Sequence, residues 1–109
     1  MATIRAYTTI EQSRNLADIL PIESADMYYE DDISVEFGHG WHSQHIPAWS
    51  LTALLSVLPL VDFTTPQLIG TPKTLYRCMY NDDLKSHAYD NPVDACVAMI
   101  EKLHELKLL

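Results

Sequence analysis

Ile46-Pro47-Ala48-Trp49-Ser50-Leu51-Thr52-Ala53-Leu54-Leu55-Ser56-Val57-Leu58-Pro59 is the densest apolar stretch of the chain and reads as one short helix marked at both ends. Pro47 pushes its predecessor towards an extended conformation, so the helix starts after it. Ser50 is placed to cap the first turn, its hydroxyl accepting from an otherwise unbonded amide. Trp49, just outside the cap, is placed to pack on Leu54 as a hydrophobic staple. Leu51, Leu54, Leu55 and Leu58 recur at i, i+3, i+4 and i+7, which predicts one apolar face. Pro59 ends the run. A helix this short is unstable alone, so the rest of the chain is expected to pack against it.

Upstream, Thr8 and Glu11 stand as Thr-x-x-Glu, a capping-box pattern. A helix to about residue 20 follows, with Ile10, Leu16, Ile19 and Leu20 on its apolar side and Pro21 closing it. Ile33-Ser34-Val35-Glu36-Phe37 alternates apolar and polar, the pattern of a half-buried strand. With residues 27–30 it makes a hairpin across Asp31-Asp32. The Gly38–His45 stretch has two glycines and no periodicity and reads as a loop. Downstream, residues 60–72 read as a connection with room for one short strand. Residues 74–80 form a strand, Asn81-Asp82-Asp83 is turn chemistry, and residues 85–89 return. The last helix starts at Asn91 as N-cap, with Pro92 at the first helical position and Asp94 in the first turn, where the helix dipole favours an acid. Val93, Cys96, Val97, Ile100 and Leu103 form its buried stripe, and Glu101, Lys102 and Glu105 its wet side.

The chain has 109 residues, enough for one domain over 1–109 and too few for two. With 48% hydrophobic and 20% charged residues it has a globular balance rather than a disordered one. No apolar run is long enough to span a membrane. Residues 1–9 lack a basic-then-apolar signal pattern, so the expected location is cytoplasmic. The formal net charge of −8 argues against nucleic-acid binding, which needs a basic surface. It suits docking on a basic partner, and it leaves room for one anion held locally by Arg5, Arg14, Lys73 or Arg77. Cys78 and Cys96 read as buried free thiols, with a single disulfide as the alternative.

Ile46-Pro47-Ala48-Trp49-Ser50-Leu51-Thr52-Ala53-Leu54-Leu55 and Asp90-Asn91-Pro92-Val93-Asp94-Ala95-Cys96-Val97-Ala98-Met99-Ile100-Glu101-Lys102-Leu103-His104-Glu105-Leu106 are familiar together. With Glu11-Gln12-Ser13 and Ser24-Ala25-Asp26-Met27-Tyr28-Tyr29, in the same order, they resemble a family of short uncharacterised proteins. That family occurs in intestinal anaerobic bacteria, their phages and integrated mobile elements. The resemblance implies a setting of phage and mobile genes. It supplies no catalytic residues, and residues 60–73 match none of its motifs.

No residue set points to catalysis. His39, His42 and His45 recur at intervals of three, and imidazole suits zinc, copper or nickel. Structural zinc wants four ligands and no neighbour completes the set, so no metal is expected. Asp26, Glu30, Asp31 and Asp32 read as turn chemistry, without the spacing of a calcium loop. Cys78 with His87, or Cys96 with His104, would make a thiol and base, but Cys96 falls on an apolar stripe and Cys78 lies between tyrosines. No phosphate loop, nucleophile elbow or HExxH motif is present.

The aromatics point to binding. Rigid rings with polar tips suit flat ligands and protein partners. The expected ligand-binding residues are Tyr28 or Tyr29 from the first hairpin, Trp41 from the loop, and Tyr76 and Arg77 from the second hairpin. Tyr76 and Arg77 point to opposite faces of one strand, so a single site using both needs a subunit boundary. The alternative is that Tyr76 is core and Arg77 a solvated charge.

These readings predict an α+β fold. Two hairpins form an antiparallel sheet, packed with three helices at roughly 8–20, 50–58 and 91–107. The expected function is a non-catalytic binding protein without cofactor. Its specific form is a counter-defence protein that sequesters a nucleotide-like signal in a homo-oligomer pocket. The alternatives are an acidic inhibitor that blocks a basic surface of a host protein, and a small enzyme of unknown reaction.

Overall fold

A computed structural model describes residues 6–29, 35–37, 46–59, 67–70, 76–80, 84–87 and 89–109. The fold is α+β. Three helices, α1 (Ile10–Ala17), α2 (Leu51–Val57) and α3 (Pro92–Glu105), accompany five short strands among these residues. Strands β1 (Met27–Tyr29), β2 (Val35–Phe37) and β3 (Ile46–Ala48) form an antiparallel sheet in the order β2-β1-β3. Strands β4 (Gln67–Gly70) and β5 (Tyr76–Met79) form a second antiparallel pair. In place of the single sheet expected from two hairpins there are two, joined through helices: α1 packs on β3 and touches α3, and α3 packs on β4 and β5.

The first hairpin forms as expected, with Met27 opposite Phe37 and Tyr29 opposite Val35. Its third strand comes from Ile46-Pro47-Ala48, just ahead of the helix that follows. Pro47 is tolerated there because β3 is an edge strand, where a missing donor breaks no ladder between two neighbours. The line of β3 runs on into an antiparallel bridge between Tyr7 and Ser50. The N-terminal segment thereby lies alongside the entrance to α2.

The second hairpin differs from expectation. The partner of β5 is β4, from the stretch read as a connection. The expected return strand makes isolated bridges, Tyr76 to Tyr89 and Met79 to Lys85. The step from Lys85 to Tyr89 is one residue longer than the step from Tyr76 to Met79, so the two bridges are out of step by one residue. At Ser86 a side chain enters the pairing. Its hydroxyl accepts from the Cys78 amide at 3.0 Å and donates to the His87 carbonyl at 2.8 Å, taking the place of a backbone ladder partner.

The helix caps are local and mostly as read. Ser50 Oγ accepts from the Ala53 amide at 3.2 Å, and Asn91 Oδ1 accepts from the Val93 amide at 2.8 Å. In α3 all five expected stripe residues are buried, together with Ala95 and Met99. The capping box of α1 is displaced by one residue. Thr9 is the N-cap, its Oγ1 accepting from the Gln12 amide at 3.1 Å, while Gln12 Oε1 accepts from the Thr9 amide at 3.0 Å. Thr8 is fully buried instead, hydrogen-bonded through Oγ1 to Ser13 Oγ at 2.7 Å. Gln12 also donates from Nε2 to Asp94 Oδ1 at 2.7 Å, tying α1 to the first turn of α3. An amide can do both jobs; the glutamate expected in that role could not donate.

In α2, Ala53, Leu54 and Leu58 are buried and Leu51 and Val57 half-buried, but Leu55 is 36% exposed. The apolar face is thus rotated from the predicted one. It is set by where α3 meets α2. Trp49 and Leu54, the two staple residues, are both 0% exposed within the main core, alongside Leu16, Cys78, Val93, Ile100 and Leu103. A smaller cluster of Met27, Tyr29 and Ala48 lies under the first sheet.

Replacing Leu54 by Ala is expected to cost about 2–5 kcal/mol, the range for a buried leucine. Leu55→Ala should cost about 0.5 kcal/mol or less, as for a surface position; urea melts of the two variants check the rotated face. Gln12→Glu keeps a capping acceptor but sets a second carboxylate against Asp94. It should lose about 1–3 kcal/mol, with part of the loss recovered in high salt.

Candidate functional site

One hollow among the described residues is a cleft of about 750 Å³, within the range of small-molecule sites. It lies where the N-terminal segment, the first sheet and the start of α2 meet. Tyr7, Met27 and Leu51 give it apolar walls, Thr52 stands exposed at its lining, and Asp26 and Glu36 add carboxylates. No lysine or arginine is among its described lining residues.

Each wall has a local cause. Tyr7 is held by its bridge to Ser50 and by edge-to-face contact with Tyr29, ring centroids 6.3 Å apart at 70°. Asp26 is anchored by Ser50, whose amide donates to Oδ1 at 2.9 Å and whose hydroxyl donates to Oδ2 at 2.5 Å. The same hydroxyl caps α2, so the carboxylate and the cap are built together. Glu36 is exposed, as the alternation of its strand predicts.

Of the residues expected to bind ligand, Tyr28 and Tyr29 lie in the first sheet and Tyr76 and Arg77 in the second. Tyr29 is buried, and its hydroxyl donates to the Thr8 carbonyl at 2.7 Å. Tyr28 is half-buried and points to the other face of β1. Neither lines the cleft. Tyr76 is packed against the main core. Arg77, on the opposite face of β5, is half-buried, and its Nε is buried with no hydrogen-bond partner among the described residues. Trp41 lies outside the described residues, as do His39, His42, His45, Glu30, Asp31 and Asp32. Among the described residues no three His, Cys, Asp or Glu side chains converge on a metal position. A smaller hollow of about 310 Å³ lies between residues 85–89 and α3, its described lining including Lys85, His87, Tyr89, Glu101, Lys102 and Glu105.

Sequence reasoning missed the cleft. Of its lining, the sequence pattern marks Asp26 for a turn, Ser50 for a helix cap and Leu51 for a helix face. Glu36 was legible as a solvent-facing strand residue. Nothing in the local pattern says that Tyr7 and Thr52 line one hollow.

A group of displaced titrations lies in the core instead. Cys78 and Cys96 are both fully buried free thiols in hydrogen-bond contact. The bond Cys96 donates lowers the Cys78 thiol against the effect of burial. Cys96 is pushed up by giving that bond, then by burial and by the charge of Cys78. Nothing reaches either sulfur from solvent in the folded chain, which sets them apart from exposed thiol nucleophiles. Tyr80 is pushed up to about 12, first by burial and then by Cys78. Its hydroxyl donates to the Pro59 carbonyl, a bond that a phenolate could not give.

Compared with protein-family models, curated proteins and solved structures, the chain matches none significantly. No helix among the described residues is long and apolar enough to cross a membrane.

Tyr80 sets an alkaline limit. Its folded value lies above the ordinary 10.0, so between about pH 10 and 12 the unfolded chain has released a proton that the folded chain keeps. The stability from Tyr80 is fully present below about pH 10 and is lost as pH rises towards 12. Urea midpoints across that window should fall less steeply for Tyr80→Phe than for the wild type.

Proposed function

We propose that this chain is a small non-catalytic binding protein, with the cleft between Tyr7, Met27, Glu36 and Leu51 as its ligand seat. The single observation behind this reading is the cleft itself: a hollow of about 750 Å³, mostly apolar, with a few placed polar groups. Small-ligand sites have that make-up. The non-catalytic part draws on the thiols, which lie at no solvent-accessible surface. The resemblance to short proteins of phages and mobile elements suggests the use: sequestering a signal of host defence, with a homo-oligomer closing the seat.

A second reading keeps a nucleotide as that signal and moves its seat to Arg77. It is favoured by the buried Arg77 Nε, which lacks a partner among the described residues. A guanidinium in that condition suits a phosphate oxygen.

Thermal melts of the wild type with a panel of small metabolites, cyclic and linear nucleotides included, test both. A ligand at about a hundredfold excess over its Kd should add about 2.7 kcal/mol of stability. Thr52→Trp, at an exposed position of the cleft, should abolish that gain without changing the melt of the free protein. A nucleotide that stabilises Thr52→Trp but not Arg77→Ala would move the seat to Arg77. A panel in which nothing stabilises the wild type counts against binding, and a strict monomer in sedimentation removes the oligomer.

A further inference from the structure

We infer that the cleft takes a small organic cation: an ammonium or guanidinium group carried on an aryl or alkyl body. The inference rests on the cleft being the ligand seat and adds the chemical class of the ligand. Two features select it together. The first is charge. Asp26 and Glu36 both line the cleft, and no described lining residue is basic. The chain's net charge of −8 adds a field of the same sign, which draws cations in and holds anions off.

The Asp26 carboxylate is also oriented in advance. Both of its oxygens accept from Ser50, at 2.9 and 2.5 Å, which fixes the plane of the group. An ionised carboxylate accepts at about four lone-pair positions, so two bonds leave capacity for a ligand N–H. A fixed acceptor needs no ordering when the ligand arrives.

The second feature is the apolar wall. Met27 is buried and adaptable in shape, Leu51 is half-buried, and Tyr7 is held in place against Tyr29. An aromatic ring beside carboxylates is a surface on which organic cations rest well. A bare metal ion gains nothing from such walls. Calcium wants six to eight oxygen ligands, and magnesium a near-ideal octahedron of them. A nucleotide or other anion meets two carboxylates and no described counter-charge.

The test uses three probes of one shape: phenethylammonium, phenethyl alcohol and hydrocinnamate, which are cationic, neutral and anionic. Each is titrated into wild type, Glu36→Gln and Thr52→Trp, with backbone amide NMR shifts as the readout. Glu36 and Thr52 are both exposed, so neither variant disturbs the core. The amine should move the amides of Met27, Ser50, Leu51 and Thr52, and bind roughly tenfold or more tightly than the alcohol, with the acid weakest. Glu36→Gln and added salt should each weaken the amine by about threefold or more and leave the alcohol unchanged. Alcohol or acid binding as tightly as the amine would overturn the cation while keeping the cleft as the seat. If no probe moves the cleft amides, or if Thr52→Trp leaves the shifts intact, the seat and the cation fall together.

Discussion

Thr8 and Trp49 hold each other through the backbone and through a side chain, and the first half of the fold depends on that junction. The Thr8 amide donates to the Trp49 carbonyl at 3.0 Å, and the Trp49 amide donates to Thr8 Oγ1 at 3.2 Å. The remaining groups of Thr8 reach two more elements. Its Oγ1 meets Ser13 of α1, and its carbonyl accepts from Tyr29 of β1. Trp49 adds an indole Nε1–H that donates to Ser24 Oγ at 2.9 Å, in the single 3-10 turn before β1. Thr8, Ser13, Tyr29 and Trp49 are buried, where an unmade bond carries its full desolvation cost. A slip of either segment by one residue would strand several of them at once.

The junction also shapes the cleft. Because residues 6–8 run beside 49–51, Tyr7 is brought across from Ser50, and Ser50 holds Asp26. The groups that cap α2 are the same ones that set a carboxylate at the edge of an apolar hollow. Binding chemistry and fold stability are therefore joined at Ser50. Glu36 and Thr52 are the lining positions most separable from that structure, since both are exposed.

The second half is organised by α3. Its buried stripe faces β4 and β5 on one side and meets α2 on another. Cys78 and Cys96 meet at the first of these contacts, where two small polarizable side chains let strand and helix come close. Gln12 joins the halves, its side chain closing the N-terminus of α1 while donating to Asp94 of α3.

What the sequence by itself determined is what depends on neighbours a few residues away. The caps at Ser50 and Asn91, the stripe of α3, the first hairpin and the α+β class all rest on i to i+4 spacing or on strict alternation, and they were legible. The displaced capping box shows the limit of local reading. Thr8-x-x-Glu11 and Thr9-x-x-Gln12 are both admissible patterns, and the choice falls to Trp49, which takes the Thr8 hydroxyl for itself. The same holds for α2, whose buried face is chosen by α3 so that Leu55 is left outside. It holds for β5, whose neighbours are chosen by the Ser86 hydroxyl and by β4. Tertiary structure alone decided the cleft. Its lining comes from four separated stretches, and no spacing rule connects Tyr7, Asp26, Glu36 and Leu51. A ring's place in core or surface likewise depends on which face the rest of the chain covers, as with Tyr29, buried, beside Tyr28, half-buried, on one strand.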